Sequence, residues 1–208
     1  MTKRSIVYID GFNLYYGALR GTSNKWLDLE SYFRRLRPDD DIELIRYFSA
    51  LTKGASKRRQ QTYLRALATT ASVEVILGKF KSRRIFCRVP DCTFEGRRHF
   101  HAPEEKRTDV NIAIWMVDDA YNDRADRFIL VSGDSDLVPP LSLIKSRFPE
   151  KELIVYVPAR SEVRGAATEL RAVSDRHRTL PNTLLARSQF AALVPDGSGG
   201  KIEKPEGW

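Results

Sequence analysis

The chain has 208 residues, 35 of them Lys or Arg against 27 Asp or Glu, for a formal charge of +8, with 42% hydrophobic and 30% charged residues. That is enough apolar material for the core of one full-size domain with a tail, which excludes a wholly disordered chain, and no run approaches the roughly 20 apolar residues of a membrane helix. The apolar run at 5–9 meets Asp10 too soon for a signal peptide, so a soluble, cytoplasmic protein is expected, and the positive balance favours a polyanionic partner.

In chain order, short β-branched runs predict strands at 5–9, 42–48, 72–77, 128–131 and 153–157. Helical spacing of apolar residues predicts helices at 27–36, 56–71, 109–122, 137–147 and 162–173. The helix at 109–122 carries Val110, Ala113, Ile114 and Val117 as its apolar stripe, and Pro139 and Pro140 suit only the first turn of the next. Alternating strands and helices predict an α/β fold, a mainly parallel sheet with helices on both faces, whose functional residues gather at the carboxyl ends of the strands. Residues 1–180 form this domain, interrupted at 79–107 by a basic insert of little periodicity with nine Lys or Arg and four acids. Residues 181–208 form an extension, and Gly197-Ser198-Gly199-Gly200 predicts flexibility from about 195.

Acids follow two of the strands. Asp10 ends the first, in Tyr8-Ile9-Asp10-Gly11-Phe12-Asn13, while Asp134 and Asp136 follow the fourth, in Ser132-Gly133-Asp134-Ser135-Asp136. Asp109 opens the helix at 109–122. Singly, each has an ordinary structural role, as a helix-start acid or a turn residue. Clustered, they repel one another unless a cation joins them, and hard oxygen ligands suit Mg²⁺ or Mn²⁺ with water activation and in-line displacement at phosphorus.

Two other metal or nucleic-acid signals lie in the insert. Cys87, Cys92, His99 and His101 fall in a Cys-x₄-Cys-x₆-His-x-His spacing, a candidate structural zinc set, with partly buried thiols and surface imidazoles as the favoured alternative. Lys79, Lys81, Arg83, Arg84, Arg88, Arg97 and Arg98 interleave with Phe80, Phe86, Phe94 and Phe100, a mixture that suits single-stranded RNA unless the rings pack inward, the reading favoured for Phe80 and Phe86. Lys106 and Arg107 are better placed to meet phosphate beside Asp109, and Tyr15-Tyr16 is ambiguous between core and base stacking. Position 12 is Phe12, which removes the Asp-x-Asp of a haloacid-dehalogenase phosphatase; a Toprim site would need a strand-end Glu where Asp10 stands, and a phosphate-binding Gly-x-x-x-x-Gly-Lys-Ser/Thr loop is absent.

Three motifs in order carry a resemblance: Tyr8-Ile9-Asp10-Gly11-Phe12-Asn13-Leu14, Glu105-Lys106-Arg107-Thr108-Asp109-Val110-Asn111-Ile112-Ala113, and Ser132-Gly133-Asp134-Ser135-Asp136. Together they resemble NYN-domain proteins of the PIN-like nuclease superfamily, in particular the LabA-like bacterial members. The resemblance implies a PIN-like three-layer fold and a metal-dependent ribonuclease. It implies Asp10, Asp109 and Asp134 as metal-binding acids, Asp136 as a further or outlying acid, and Asn13 orienting a water, a metal ligand or the scissile phosphate. Ser132 would hydrogen-bond Asp134 or a phosphate oxygen, with Lys106, Arg107, Arg83 and Arg84 contacting RNA. An RNA-binding regulatory module without turnover and a metal-dependent DNA nuclease are the alternatives.

Overall fold

The computed structural model describes residues 2–160 and 168–208. Six parallel strands form the central sheet: β1 (Lys3–Asp10), β2 (Asp40–Ser49), β3 (Val73–Leu77), β6 (Arg127–Val131), β7 (Glu152–Val157) and β8 (Arg176–Thr179), in the order β3-β2-β1-β6-β7-β8. The intervening hairpin strands are β4 (Lys79–Phe86) and β5 (His99–Lys106). The strand order runs outward in both directions from the β1/β6 pair, so the crossover direction reverses between them. In open parallel sheets that reversal leaves a crevice at the carboxyl ends of the two strands. Register fixes how they meet there, with Ile9 opposite Val131 and Asp10 one residue beyond.

Alternation along the strands divides the core between two layers. Val7 and Ile9 face a layer built from α1 (Gly11–Leu14) and the π-helical turn Tyr15–Leu19 that continues it, α2 (Leu29–Leu36), α3 (Ala55–Leu67) and α7 (Asn182–Leu185). Ile6 and Tyr8 face α4 (Thr108–Tyr121), α5 (Val138–Arg147) and α6 (Thr168–Val173). All four β1 side chains are at most 2% exposed, as expected of a strand covered on both faces, and each such burial is worth about 1.5–3 kcal/mol. Of the helix expected over 162–173, residues 162–167 lie outside the described residues. Among the described residues no helix is long and apolar enough to cross a membrane.

Three segments depart from the sequence-based expectation. The insert at 79–107 is an antiparallel hairpin of β4 and β5, with Phe80 opposite Glu105 and Arg84 opposite His101. Most of its side chains on both faces are exposed or half-buried, so there was no inside to impose an alternating pattern. Strand β8, Arg176-His177-Arg178-Thr179, falls where no strand is predicted; it is a largely exposed edge strand, where charge discourages further pairing. The tail from 195 is folded, with β9 (Leu193–Pro195) pairing antiparallel with β10 (Lys201–Glu203). Its glycines serve a tight turn, Gly197 and Gly199 having φ of 79° and 92°, while the Asp196 carboxylate accepts from the Ser198 and Gly200 amides. Ile202 is 3% exposed, and the Trp208 ring stands 5.8 Å from Tyr63.

Candidate metal centre

Asp10 ends β1 and caps α1. One of its carboxylate oxygens accepts from the Asn13 amide at 2.9 Å, and the other accepts from the Ser132 hydroxyl at 3.1 Å. The same hydroxyl oxygen accepts from the Asp134 amide at 3.1 Å, so one serine ties the end of β1 to the loop after β6. A second tie runs from the Gly133 amide to Asn13 Oδ1 at 3.2 Å. Asp134 in turn accepts from the Asp136 amide at 3.0 Å and caps the short 3₁₀ turn Ser135–Leu137. Gly11 makes this approach possible, since a Cβ there would lie 2.7 Å from the Phe48 carbonyl oxygen and the Tyr47 ring.

Asp109 arrives from the third segment, in the first turn of α4. The chain leaves β5 through Arg107, a non-glycine residue with φ of 84°, and this left-handed step turns it into the helix. Glu105 Oε1 accepts from both the Thr108 amide and the Thr108 hydroxyl, closing the free end of the helix. The outcome is convergence: one carboxylate oxygen from each of Asp10, Asp109 and Asp134 lies within 4.8 Å of the others. Among the described residues this is the group of three or more Asp, Glu, His or Cys placed to share an ion.

The electrostatics are those of carboxylates set against one another. None of the three acids makes an ion pair among the described residues. Burial pushes the Asp109 carboxyl up to about 6, with Asp10, Asp134, Glu105 and Asp136 adding repulsion. Asp10 is raised by burial and by Asp134, against the opposing pull of its hydrogen bonds from Asn13 and Ser132. The opposite edge of the sheet behaves in the reverse way. Burial there works against ionisation of Asp40 and Glu152, yet Arg37 and Arg127 hold Asp40 below the usual carboxylate range, and Lys3 and Arg127 do the same for Glu152. The donor set at the carboxyl edge is three hard carboxylates with free lone pairs, which fits Mg²⁺ or Mn²⁺.

The acids open into a cavity of about 830 Å³ whose walls include Phe12, Tyr16, Lys53, Phe80, His101 and Glu105. The other expected residues lie around this cavity or apart from it. Asn13 lines the cavity, its carbonyl oxygen accepting from the Gly133 amide, and Ser132, fully buried, makes the expected bond to Asp134 through that residue's amide while donating to Asp10. Asp136 stands outside the trio, exposed, and acts on Asp109 through its charge. Lys106 and Arg107 line a separate depression with Lys79 and Lys81, and Lys106 and Arg83 both pair with Glu104. Strand alternation explains this: Phe80, Ser82 and Arg84 share the hairpin face of the acid cavity, whereas Lys81, Arg83 and Lys106 sit on the other.

Cys87, Cys92, His99 and His101 do not gather around one point. The Cys87 thiol is held down by the Val89 backbone and by Cys92, while His99 lies against Arg84 at 3.1 Å and His101 bonds the Ser82 hydroxyl at 3.0 Å. A β-strand puts His99 and His101 on one face with their rings 6.4 Å apart, in keeping with the alternative of surface imidazoles rather than with the candidate zinc set. Phe86, which reads as inward-facing, is 57% exposed beneath Arg84, and Phe94 and Phe100 are exposed too. Two cavity residues had no assigned catalytic role in the sequence. Glu105 had a signal, an acid three positions before the helix-starting Thr108; His101 had none, because only pairing with β4 turns it toward the acids.

The sequence profile of the NYN domain matches residues 4–181. The chain belongs to the NYN domain family. NYN domains are a PIN-like nuclease family. The chain is 30% identical to 6-hydroxy-3-succinoylpyridine 3-monooxygenase HspA of Pseudomonas putida, a match covering 99% of this chain and 75% of that protein. Among solved structures, a protein of unknown function from Vibrio parahaemolyticus shares the fold with a TM-score of 0.56 at 20% identity, covering 87% of this chain and 94% of the other.

Proposed function

We propose that this NYN domain is a divalent-metal-dependent ribonuclease that hydrolyses RNA phosphodiester bonds with an activated water. The observation that carries this is the convergence of Asp10, Asp109 and Asp134, from three distant segments, at the crevice of the sheet, none of them in an ion pair among the described residues. Asp10, Asp109 and Asp134 would hold Mg²⁺ or Mn²⁺, which supplies a lowered pKa for a water and a counter-charge for the phosphate oxygens. The chain contributes orientation. Ser132 and the Asn13 amide fix the Asp10 carboxylate, and the Asn13 side chain fixes the loop that carries Asp134. Attack by water leaves a 5′-phosphate and a 3′-hydroxyl, with no histidine or serine nucleophile and no role for the 2′-hydroxyl.

Labelled single-stranded RNA and DNA, incubated with Mg²⁺ or Mn²⁺, test this against the Asp10→Asn and Asp134→Asn variants. The expected result is RNA cleavage by the parent and a loss of at least about 100-fold in both variants. Equal cleavage in the variants contradicts the assignment, binding without cleavage in the parent indicates a regulatory module, and cleavage of DNA alone indicates a DNA nuclease.

One observation favours a second reading. The Pseudomonas relative is named a monooxygenase of a hydroxylated pyridine, and Phe12 and Phe80, with ring centroids 5.5 Å apart, offer a small aromatic ring a wall beside the acids. The all-carboxylate donor set is better matched to Mg²⁺ or Mn²⁺ than to redox iron or copper, which puts hydrolysis first. Oxygen and reductant consumption with a hydroxypyridine substrate, undiminished in Asp10→Asn, would place such chemistry elsewhere; consumption lost in that variant would bring it to this site.

A further inference from the structure

A second cavity of about 340 Å³ adjoins the acid cavity, the two sharing Phe12, Tyr16, Thr52 and Ser56 along their boundary. Its character is opposite to that of its neighbour. Among the described residues no Asp or Glu side chain lines it, whereas Arg20, Lys25 and Arg59 do, and none of these three makes an ion pair among the described residues. Tyr16 stands at the boundary 58% exposed, with the Arg20 guanidinium 5.4 Å from its ring centroid and the half-buried Tyr15 braced edge-on at 5.2 Å. The Tyr15-Tyr16 pair thus divides, Tyr15 packing against the core and Tyr16 facing out.

This wall is built rather than incidental. The π-helical turn, closed by the Arg20 amide on the Tyr15 carbonyl at 2.7 Å, holds the backbone of Tyr16 and Arg20 together. Gly17 lets that turn press on the loop after β7, since a Cβ there would fall 2.3 Å from the Pro158 carbonyl oxygen. Opposite, Gln60 accepts from the Thr52 amide at 2.8 Å and donates to the Ala50 carbonyl at 2.9 Å, which pins the loop after β2 to α3.

We propose that the second cavity is a nucleotide subsite. It takes one unstacked base and its phosphate from a single strand whose next phosphate lies over the acids; this rests on the nuclease reading above. The base lies flat on Tyr16 and the phosphate sits between Arg20 and Arg59. Without such cations the acid cavity would repel a polyanion before metal and substrate met. An exposed ring flanked by arginines is how proteins hold single strands without reading sequence, and a base inside a duplex cannot reach it. The cavity is at the small end of ligand pockets, which run from about 300 to 1,000 Å³, and suits one nucleotide rather than a helix.

The test is fluorescence anisotropy of a labelled ten-nucleotide RNA in Mg²⁺, with Asp134→Asn as the non-cleaving background. Tyr16→Ala and the Arg20→Ala, Arg59→Ala double variant are each expected to weaken binding about tenfold or more, and Tyr16→Phe to keep it within about twofold, because the π-face remains. A duplex of the same sequence is expected to compete poorly. Unchanged binding in Tyr16→Ala, or equal competition by the duplex, overturns the subsite while the nuclease reading stands. Failure of the background protein to bind any strand, together with no cleavage by the parent, overturns both.

Discussion

The Asp109 carboxyl, pushed up to about 6, makes the acid cluster a liability in the metal-free protein. An acid whose folded pKa exceeds its unfolded value near 3.8 binds protons more tightly when folded, so stability falls as pH rises from about 4 to above 6. Allowing for screening at a half-buried group, the loss is about 1–2 kcal/mol. Thermal melts of metal-free protein at pH 5 and 7.5 should show it, and Asp109→Asn should flatten the difference while weakening Mn²⁺ binding; an equal slope in the variant contradicts the assignment. Ser132→Ala removes a donor to buried Asp10 and an acceptor for the Asp134 amide, and should cost about 1–3 kcal/mol in denaturant unfolding. The positions of Asp10 and Asp134 were legible because a strand-end acid has one place to go. The Ser132 bond to Asp134 was expected, but its bond to Asp10 and the Asn13 bond to the Gly133 amide were not, because a polar residue near an acid has the same spelling whether it serves the ligand or the loop.

Helix α4 shows where periodicity runs out. Its sequence is apolar on most sides, and the stripe expected from Val110, Ala113, Ile114 and Val117 is not the buried one: Val110 and Ile114 are 60% and 59% exposed, while Ile112, Met116 and Ala120 face the sheet. Polar partners choose the rotation. Asp119, fully buried, accepts from Arg46 Nη2 and Nε at 3.1 and 3.2 Å and from the Tyr8 hydroxyl at 2.7 Å, and the Arg46 guanidinium stacks 3.8 Å from the Trp115 ring centroid. Nothing in one strand or one helix announces a pair formed 73 residues apart. Removing one partner strands a buried charge, so Arg46→Ala should lower unfolding free energy by about 3–5 kcal/mol. The same variant should weaken Mn²⁺ binding, since Asp109 rides on this helix, ten residues or about 15 Å away. Undiminished stability in Arg46→Ala would mean that packing alone sets the rotation.

The molecule as a whole is polarised along its strands. Alternating strands and helices made the sheet and its two layers legible from sequence, and the β1/β6 junction then brings Asp10 and Asp134 to one edge. Acids at the amino edge are matched with Arg37, Arg127 and Lys3, whereas Asp10, Asp109 and Asp134 at the carboxyl edge make no ion pair among the described residues and Asp109 is repelled by the other two. Close packing at that junction leaves little room, and Gly11→Ala should cost about 1–3 kcal/mol and displace Asp10. These features are the basis for the proposed cation site on Asp10, Asp109 and Asp134. Calorimetric titration of Mn²⁺ into the metal-free protein measures it: stoichiometric binding that disappears in Asp10→Asn and Asp134→Asn is the predicted result, and binding of unchanged affinity in those variants, or none in the parent, would contradict it.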